Sequence, residues 1–249
     1  MSLKLKDKIC IVTGATSGMG KAIAERFHGE GAKLVLSGRN EERGNTLAKL
    51  LDNAVFFAGD VSDPNYNEQL VKIAIENFGK LDIVSMNAGI LGLGSVTDLS
   101  TEDWHKTLDT NLSSIFYLSK YAISHLKKQR GTILINASIA AYKSFPNHPA
   151  YCASKAGSVA LMKQLALEYA PEIRINAICP GPVDTPLIWN SAKAFENPEM
   201  AVENVGKATL MKRLGRPDDV ANLALFLVSD EASWITGTAM TIDGGILNT

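Results

Sequence analysis

Apolar, β-branched runs alternate with helix-length amphipathic segments along the whole chain, and this alternation limits the folds that it can adopt. The runs are apolar almost throughout, which is typical of parallel strands buried on both faces. Strands separated by helices form βαβ units, so the sequence predicts one α/β domain with a doubly wound, seven-stranded parallel sheet and helices on both faces. The predicted strands lie near 8–13, 33–37, 54–58, 81–86, 131–137, 173–179 and 238–242. The predicted helices lie near 18–30, 40–51, 64–78, 101–128, 149–170 and 217–228.

The composition excludes several classes of partner. The chain has 249 residues, of which 46% are hydrophobic, so it can bury a large core in a single domain. Its net charge of −1 gives no electrostatic footprint for nucleic acid or an anionic membrane, and we expect a small-molecule partner. The three cysteines and four histidines lack ligand spacing, so we predict reduced thiols and no metal site. No apolar run resembles a signal sequence or a membrane span, and we therefore expect a cytoplasmic protein.

A glycine-rich turn follows the first predicted strand and precedes the first predicted helix. Its glycines leave space for a ligand to approach the backbone. The N–H groups of such a turn, together with the N-terminus of the following helix, can bind a pyrophosphate. The order strand, turn, helix therefore favours a dinucleotide site over a plain tight turn. The predicted cofactor-binding residues of this turn are Gly14, Thr16, Ser17, Gly18, Met19 and Gly20.

A tyrosine and a lysine are spaced to share one face of a predicted helix. Tyr151 and Lys155 are four residues apart, so the phenol and the ammonium group can point to the same place. A phenol has a reference pKa of about 10 and is a poor acid–base group at neutral pH. Because Lys155 and an oxidised nicotinamide would both favour the phenolate, we expect the pKa of Tyr151 to be lowered. A dinucleotide site and a proton donor together indicate hydride transfer.

Two further polar residues occupy positions that suggest a function. Ser138 follows the predicted strand 131–137, at the end of the strand where open α/β sheets bind ligands, although a turn or a helix cap is the commoner role for such a serine. The chain has no Gly-x-Ser-x-Gly motif, which disfavours a serine hydrolase. Asn111 lies inside a predicted helix, where asparagine is unfavourable, and so indicates a kink or a buried hydrogen bond.

These motifs, in this order, resemble those of the short-chain dehydrogenase/reductase family, whose fold is the Rossmann type. The resemblance covers essentially the whole chain. The matching segments are 13–20, Asp60-Val61, Asn87-Ala88-Gly89-Ile90, Asn111, Ser138, 151–155, Pro180-Gly181, 235–237 and 243–245.

The family resemblance implies a role for each member of a catalytic set. Tyr151 would protonate the carbonyl oxygen in reduction and remove the hydroxyl proton in oxidation. Ser138 would hydrogen-bond the substrate oxygen, and Lys155 would also bind the nicotinamide ribose. Asn111 would hold a water molecule that relays protons to Lys155.

The same resemblance implies further cofactor contacts. Asp60 would face the adenine amino group, although a solvated carboxylate at a strand end is the other interpretation. The backbone of Val183 and the hydroxyl of Thr185 would bind the nicotinamide carboxamide. The remaining cofactor-binding residues that the resemblance implies are Val61, Asn87, Ala88, Gly89, Pro180 and Gly181.

The end of the second predicted strand distinguishes NAD from NADP. An NAD site of this fold has a carboxylate there that binds the ribose 2′-hydroxyl, whereas this chain has Gly38 followed by Arg39. The missing carboxylate removes a repulsion against a 2′-phosphate, and the guanidinium of Arg39 supplies a planar partner for it. We therefore favour NADP(H). Ser17 replaces the basic residue that many NADP-preferring relatives have, so the preference is expected to be modest.

The segment 184–215 fits neither the helical nor the strand period. It follows a strand at the ligand-binding edge, so we predict a substrate lid, with a permanently packed pair of short helices as the alternative. Trp189 in this segment is a candidate for substrate contact. The residues that flank Ser138 are also expected to set specificity, and their apolar character predicts a partly hydrophobic substrate. These residues are Ile139, Ala140, Tyr142 and Phe145.

The function that fits these features is an NADP(H)-dependent oxidoreductase that interconverts a ketone and a secondary alcohol. The chain resembles 3-oxoacyl carrier-protein reductases and carbonyl reductases. One alternative is an NAD-dependent dehydrogenase of a sugar alcohol, a sterol or another secondary alcohol. Another is a catalytically silent dinucleotide-binding regulator, which would have no chemical need for the complete catalytic set. The family resemblance also implies a homotetramer formed through helices 101–128 and 149–170 and the last strand, although the apolar residues there would equally serve packing on the sheet.

Overall fold

The fold is built on a parallel sheet in a computed structural model that describes residues 3–249. The strands pair in the order β3-β2-β1-β4-β5-β6-β7, and every pair is parallel. The predicted seven-stranded, doubly wound sheet is therefore confirmed. The strands are β1 (Ile9–Val12), β2 (Lys33–Gly38), β3 (Ala54–Ala58), β4 (Ile83–Met86), β5 (Thr132–Asn136), β6 (Arg174–Pro180) and β7 (Ala239–Ile242).

Helices cover both faces of this sheet. The strands alternate their side chains between two hydrophobic clusters, so that Ile11 joins one cluster and Val12 joins the other. Both residues are fully buried. The helices are α1 (Gly18–His28), α2 (Glu41–Leu50), α3 (Pro64–Phe78), α4 (Thr101–Leu108), α5 (Ser114–Gln129), α6 (Pro149–Tyr169), α7 (Pro186–Ala192), α8 (Pro198–Ala208) and α9 (Pro217–Val228).

The strand order reverses between β1 and β4. The chain builds β2 and β3 on one side of β1 and then crosses to β4 on the other side. Val12 therefore lies between Leu36 of β2 and Ser85 of β4. Such a switch point leaves a crevice beyond the carboxyl ends of the strands, where doubly wound folds bind their ligands.

The predicted helix 101–128 is not one regular helix. A π-helical turn, Asp109–Ser113, separates α4 from α5 and contains the buried Asn111. The Asn111 side chain accepts a hydrogen bond from the Ile90 N–H at 2.8 Å and donates one to the Ile90 carbonyl at 2.9 Å. Of the kink or buried hydrogen bond expected at Asn111, the buried hydrogen bond is present, and it joins this turn to the loop after β4.

The segment 184–215 contains helices α7 and α8, with turns on either side of them. Prolines begin both helices, at positions where the missing N–H costs no hydrogen bond. The sequence analysis gave a pair of short helices here only as the alternative to a lid, because the apolar residues of the segment are too sparse to show a helical period. Within residues 3–249, no helix is both long enough and apolar enough to span a membrane.

Candidate active site

The glycine turn after β1 packs directly against the loop after β4. Gly14 has a φ of +63°, and a Cβ atom there would lie 2.8 Å from the backbone nitrogen of Ala88. A Cβ atom at Gly20 would lie 2.3 Å from the carbonyl oxygen of Gly14. No larger residue fits either position without moving the backbone. The glycines therefore bring the start of α1 close to the crevice.

The N-terminus of α1 is open to an anion. Ser17 is the N-cap residue, but its side chain makes no capping hydrogen bond. The first N–H groups of a helix have no partner within the helix, and the helix dipole favours a negative charge beside them. This arrangement fits a pyrophosphate.

A cleft of about 640 Å³ extends along the carboxyl edge of the sheet from this turn. Its size is within the range of small-molecule sites. The glycines of the turn, the open N-terminus of α1 and the elongated lining fit a dinucleotide. The predicted cofactor residues that line it are Gly14, Thr16, Ser17, Gly18, Met19, Gly20, Arg39, Asp60, Val61, Asn87, Ala88, Gly89, Tyr151, Lys155 and Thr185.

One end of the cleft is cationic, and any side chain at Gly38 there would displace the Thr16 side chain. A Cβ atom at Gly38 would lie 2.7 Å from the Cγ2 atom of Thr16, so an Asp or Glu there would force Thr16 to move. Arg39 and Arg43 both line this end. The sequence analysis identified Arg39 but missed Arg43, which lies in the first turn of α2 and has no distinguishing pattern. Two guanidinium groups would suit a phosphate better than a ribose hydroxyl.

Asp60 is held in place by its own turn. Its Oδ1 atom accepts hydrogen bonds from both the backbone nitrogen and the hydroxyl of Ser62, each at 2.9 Å. The carboxylate lines the cleft and is partly buried. It is therefore not the freely solvated carboxylate of the alternative interpretation.

The side chain of Asn87 serves the protein framework. It donates to the carbonyl and hydroxyl oxygens of Ser85, both at 3.0 Å, while its backbone nitrogen donates to the Thr13 hydroxyl at 3.0 Å. Asn136, at the end of β5, donates to Asn87 Oδ1 at 3.3 Å. These contacts fix the crevice between β1, β4 and β5.

Tyr151 and Ser138 lie together beside a second cavity of about 440 Å³, and Tyr151 also lines the cleft. Tyr151 lies in the first turn of α6 and is half-buried, and both it and Ser138 line the second cavity. Burial raises the pKa of Tyr151 to about 12, against the opposing effect of the nearby Ser138 hydroxyl. The expected lowering of this pKa is therefore wrong for the protein alone. The Ser138 oxygen accepts from the Ala140 N–H at 3.0 Å, which fixes its position.

Lys155 is buried one turn further along α6. It is 5% exposed, and its Nζ atom donates to the Asn136 carbonyl at 2.8 Å. Nζ lies 5.7 Å from the centre of the Tyr151 ring. Burial of the ammonium lowers the pKa of Lys155 to about 8. The sequence analysis missed Asn136, whose carbonyl holds this lysine, because nothing in the sequence distinguishes it from other strand-end residues.

The side chain of Asn111 is occupied by protein groups. Besides its two bonds to Ile90, its Nδ2 atom donates to the Ser154 hydroxyl at 3.0 Å. The Asn111 carbonyl accepts from the Ser158 hydroxyl at 3.2 Å. Asn111 therefore links the loop after β4 to α6, the helix that carries Tyr151 and Lys155.

A second cavity, of about 440 Å³, meets the cleft at Tyr151. Of the residues expected to set specificity, Ile139 and Phe145 line it. Ala140 and Tyr142 are outside its lining, and so is Trp189, which is 44% exposed and donates to Asp184 at 2.9 Å. The expectation that Trp189 contacts substrate is not supported. Three residues predicted to bind cofactor also line this second cavity and lie outside the lining of the cleft, namely Pro180, Gly181 and Val183.

His148 connects the catalytic helix to α7. Its Nδ1 atom lies 2.5 Å from the Pro146 carbonyl, which can only accept, so Nδ1 carries a proton. Its Nε2 atom lies 2.8 Å from the hydroxyl of Ser191 in α7. The His148 ring also packs edge-on to Tyr151, with ring centres 6.2 Å apart. The sequence analysis considered His148 only as a metal ligand and missed this contact, which depends on where α7 folds back.

Comparison with known proteins gives consistent matches over nearly the whole chain. A family model described as enoyl-(acyl carrier protein) reductase matches residues 14–247. An uncharacterised oxidoreductase of Thermotoga maritima is 38% identical, with 98% of each chain aligned. A 3β-hydroxysteroid dehydrogenase of Mediterraneibacter gnavus is 36% identical over 97% of this chain and 95% of the relative. The ligand-free aldohexose dehydrogenase of Thermoplasma acidophilum superposes with a TM-score of 0.91 at 34% identity, covering 100% of this chain and 97% of that one.

Proposed function

Since this chain belongs to the short-chain dehydrogenase/reductase family of oxidoreductases, we propose that it interconverts a ketone and a secondary alcohol by hydride transfer with NADP(H). The observation that carries the proposal is the position of Tyr151, which lines both the elongated cleft and the second cavity. A proton donor at this junction can reach a substrate oxygen whose carbon faces the cleft. Proton transfer through Tyr151 is part of the proposal.

Ser138, Tyr151 and Lys155 have different roles in proton transfer to the substrate oxygen. Ser138 is fixed by the Ala140 N–H and keeps its hydroxyl proton to donate to that oxygen. Tyr151 delivers its phenolic proton to the same oxygen in reduction and recovers a proton afterwards. The buried ammonium of Lys155 stabilises the phenolate left behind, since an opposite charge close by favours the charged form. When bound, the nicotinamide supplies or accepts the hydride at the carbonyl carbon.

The Asn136 carbonyl and the Asn111 side chain hold the catalytic residues in position. The Asn136 carbonyl holds the Lys155 ammonium at 2.8 Å, and Asn111 ties α6 to the loop after β4. We assign Asn111 a positioning role that rests on these bonds. The proton relay through water that the family resemblance implies would have to use its backbone carbonyl.

The charge at the outer end of the cleft supports NADP(H) over NAD(H). Arg39 and Arg43 line this end, and Gly38 supplies no carboxylate to bind a 2′-hydroxyl. Asp60 lines the cleft as well, but one of its oxygens already accepts two hydrogen bonds from Ser62. We therefore propose that the protein prefers NADP(H), as Gly38 and Arg39 at the end of β2 also suggest.

Turnover of ketones with each reduced cofactor tests this function. We expect loss of NADPH absorbance with at least one cyclic or aryl ketone, and a smaller kcat/KM with NADH. Formation of the alcohol is confirmed by chromatography, so that one alcohol appears for each NADPH consumed. Tight NADPH binding without turnover of any ketone or alcohol would favour the silent regulator instead. Relatives named for a steroid and for a sugar are about equally similar, so family membership leaves the substrate open.

A further inference from the structure

The wall of the second cavity is almost entirely apolar. Among the residues that the structure describes, no Asp, Glu, Lys or Arg lines it. Its apolar side chains come from the loop after β4, the segment after Ser138, helices α7 and α8 and the turn between these helices, and they line the same cavity as Tyr151. These side chains are Leu91, Ile139, Phe145, Ile188, Phe195 and Val202.

Most polar groups of this wall are already bound within the protein. His148 and Ser191 hydrogen-bond to each other at 2.8 Å, and the second ring nitrogen of His148 is bound to Pro146. The Thr185 hydroxyl donates to the Val183 carbonyl at 3.3 Å. Asn204 is exposed to solvent and therefore keeps its hydration. The hydroxyl pair of Ser138 and Tyr151 is the polar feature that remains for a buried substrate.

From this wall we infer the substrate class: a bulky, uncharged, largely apolar ketone or secondary alcohol, such as a fused-ring compound, with its reacting oxygen at Ser138 and Tyr151. The inference rests on the proposed function and deepens it. A polyhydroxylated substrate would lose the hydration of its hydroxyls without gaining partners, and a carboxylate would lose more. The sugar-alcohol alternative is therefore disfavoured for this chain, as are acidic ketones.

A set of ring ketones that share one reacting group tests the inference. The probes are cyclohexanone, 2-decalone, 4-oxocyclohexanecarboxylate and a pentahydroxycyclohexanone. One methylene in an apolar pocket changes kcat/KM by roughly 10-fold or more, so 2-decalone should exceed cyclohexanone by at least that factor. The polyhydroxylated and carboxylated ketones should fall below cyclohexanone by on the order of 100-fold. Equal or better turnover of either polar ketone overturns the inference.

A variant pair locates the preference in the cavity. Val205 in α8 lines the cavity, and Val205→Thr keeps the shape of the side chain while adding a hydroxyl. We expect it to lower kcat/KM for 2-decalone several-fold and to leave NADPH affinity unchanged. Glu203→Gln, on the same helix but exposed and outside the lining, is the matched control and should change neither value. An unchanged kcat/KM for 2-decalone in Val205→Thr contradicts the assignment of this cavity as the substrate site.

Binding separates this inference from the proposed function. Titration of the NADP⁺-loaded protein with 2-decalone and with the pentahydroxy ketone needs no turnover. Tight 2-decalone binding with a negative heat-capacity change supports an apolar site even where no ketone is reduced. Preferential binding of the pentahydroxy ketone overturns the inference even where some ketone is reduced. Thermal unfolding of Val205→Thr and of the control checks that both variants are folded.

Discussion

At the scale of single residues, burial controls the acid–base chemistry of the site. Tyr151 and Lys155 are both shifted toward their neutral forms, with the phenol pKa raised to about 12 and the ammonium pKa lowered to about 8. The sequence analysis expected the opposite direction for Tyr151, because spacing reveals the neighbouring cation but not the loss of water around the phenol. A cation brought close by the bound oxidised cofactor would act against this burial effect.

The shifted pKa of Lys155 leads to a pH prediction for the reduction. Lys155 is charged below about pH 8 and loses its charge above it, while Tyr151 stays protonated until about pH 12. The kcat/KM for ketone reduction should therefore be flat in the acidic range and fall as the pH rises through about 8. Lys155→Arg, which keeps its charge, should flatten the profile of whatever activity remains. A wild-type profile that stays flat throughout the alkaline range contradicts this role.

The two arginines at the outer end of the cleft give a second prediction. Arg39→Ala should weaken NADPH binding by on the order of 10-fold, the loss of one partly screened charge-assisted hydrogen bond, and should change NADH binding little. The double change of Arg39 and Arg43 should reduce the preference for NADPH further. Lys49→Ala removes a charge from α2 outside the cleft and is the control. Equal losses for the two cofactors in Arg39→Ala would show that this arginine does not bind the 2′-phosphate. Fluorescence titration measures both affinities.

At the scale of elements, the parts with strong periodicity could be predicted from the sequence. Strands and helices agree with the predicted ranges to within a few residues wherever the chain is strongly apolar, as in β5 and α6. A buried hydrogen bond at Asn111 could be anticipated but not the π-helical turn, because the distant loop at Ile90 supplies the partner of this side chain. The α7 and α8 helices could be anticipated only as the alternative to a lid and without bounds, since their apolar residues form no continuous stripe.

We propose that the segment 184–215 acts as a substrate lid. Within this segment, α7 is the helix whose motion would open the site. The hydrogen bond between Ser191 and His148 links α7 to the N-terminus of α6. Cofactor with product should slow trypsin cleavage after Lys193, and Ser191→Ala should speed it in the free protein. Lys193 is exposed and lines the cofactor cleft, whereas the exposed Lys128 at the end of α5 is a remote internal control. If trypsin cleaves after Lys193 equally fast with and without cofactor and product, the permanently packed pair of helices is favoured over the lid.

At the scale of the whole molecule, several exposed apolar side chains support the homotetramer that the family resemblance implies. Phe116 on α5 is 51% exposed, Leu167 on α6 is 79% exposed and Trp234 before β7 is 98% exposed. Packing on the sheet does not explain them, because they face away from it. β7 is also an edge strand of the sheet. We expect a tetramer in sedimentation velocity and a smaller species for Leu167→Glu. A wild-type protein that sediments as a monomer contradicts the tetramer.

The architecture brings the cofactor cleft, the apolar cavity and the catalytic helix together at one edge of the sheet. β1 and β4 form the crevice, α6 supplies Tyr151 and Lys155, and the segment after β6 covers the second cavity. Motifs in the sequence were enough to predict a dinucleotide site and a helix that carries Tyr151 and Lys155. The size and apolar character of the cavity required the structure, because its wall is assembled from segments far apart in the chain.

The turnover of Tyr151→Phe tests the central claim most directly. The change deletes the transferable proton and little else, so ketone reduction should fall by about 10²–10⁴-fold while NADPH affinity stays nearly unchanged. Tyr142→Phe is the matched control, since Tyr142 is close in the chain but outside both the cleft and the cavity lining, and it should keep wild-type turnover. Single-turnover assays with NADPH and 2-decalone measure both variants. A Tyr151→Phe protein that keeps most of the wild-type rate would contradict proton transfer through this residue.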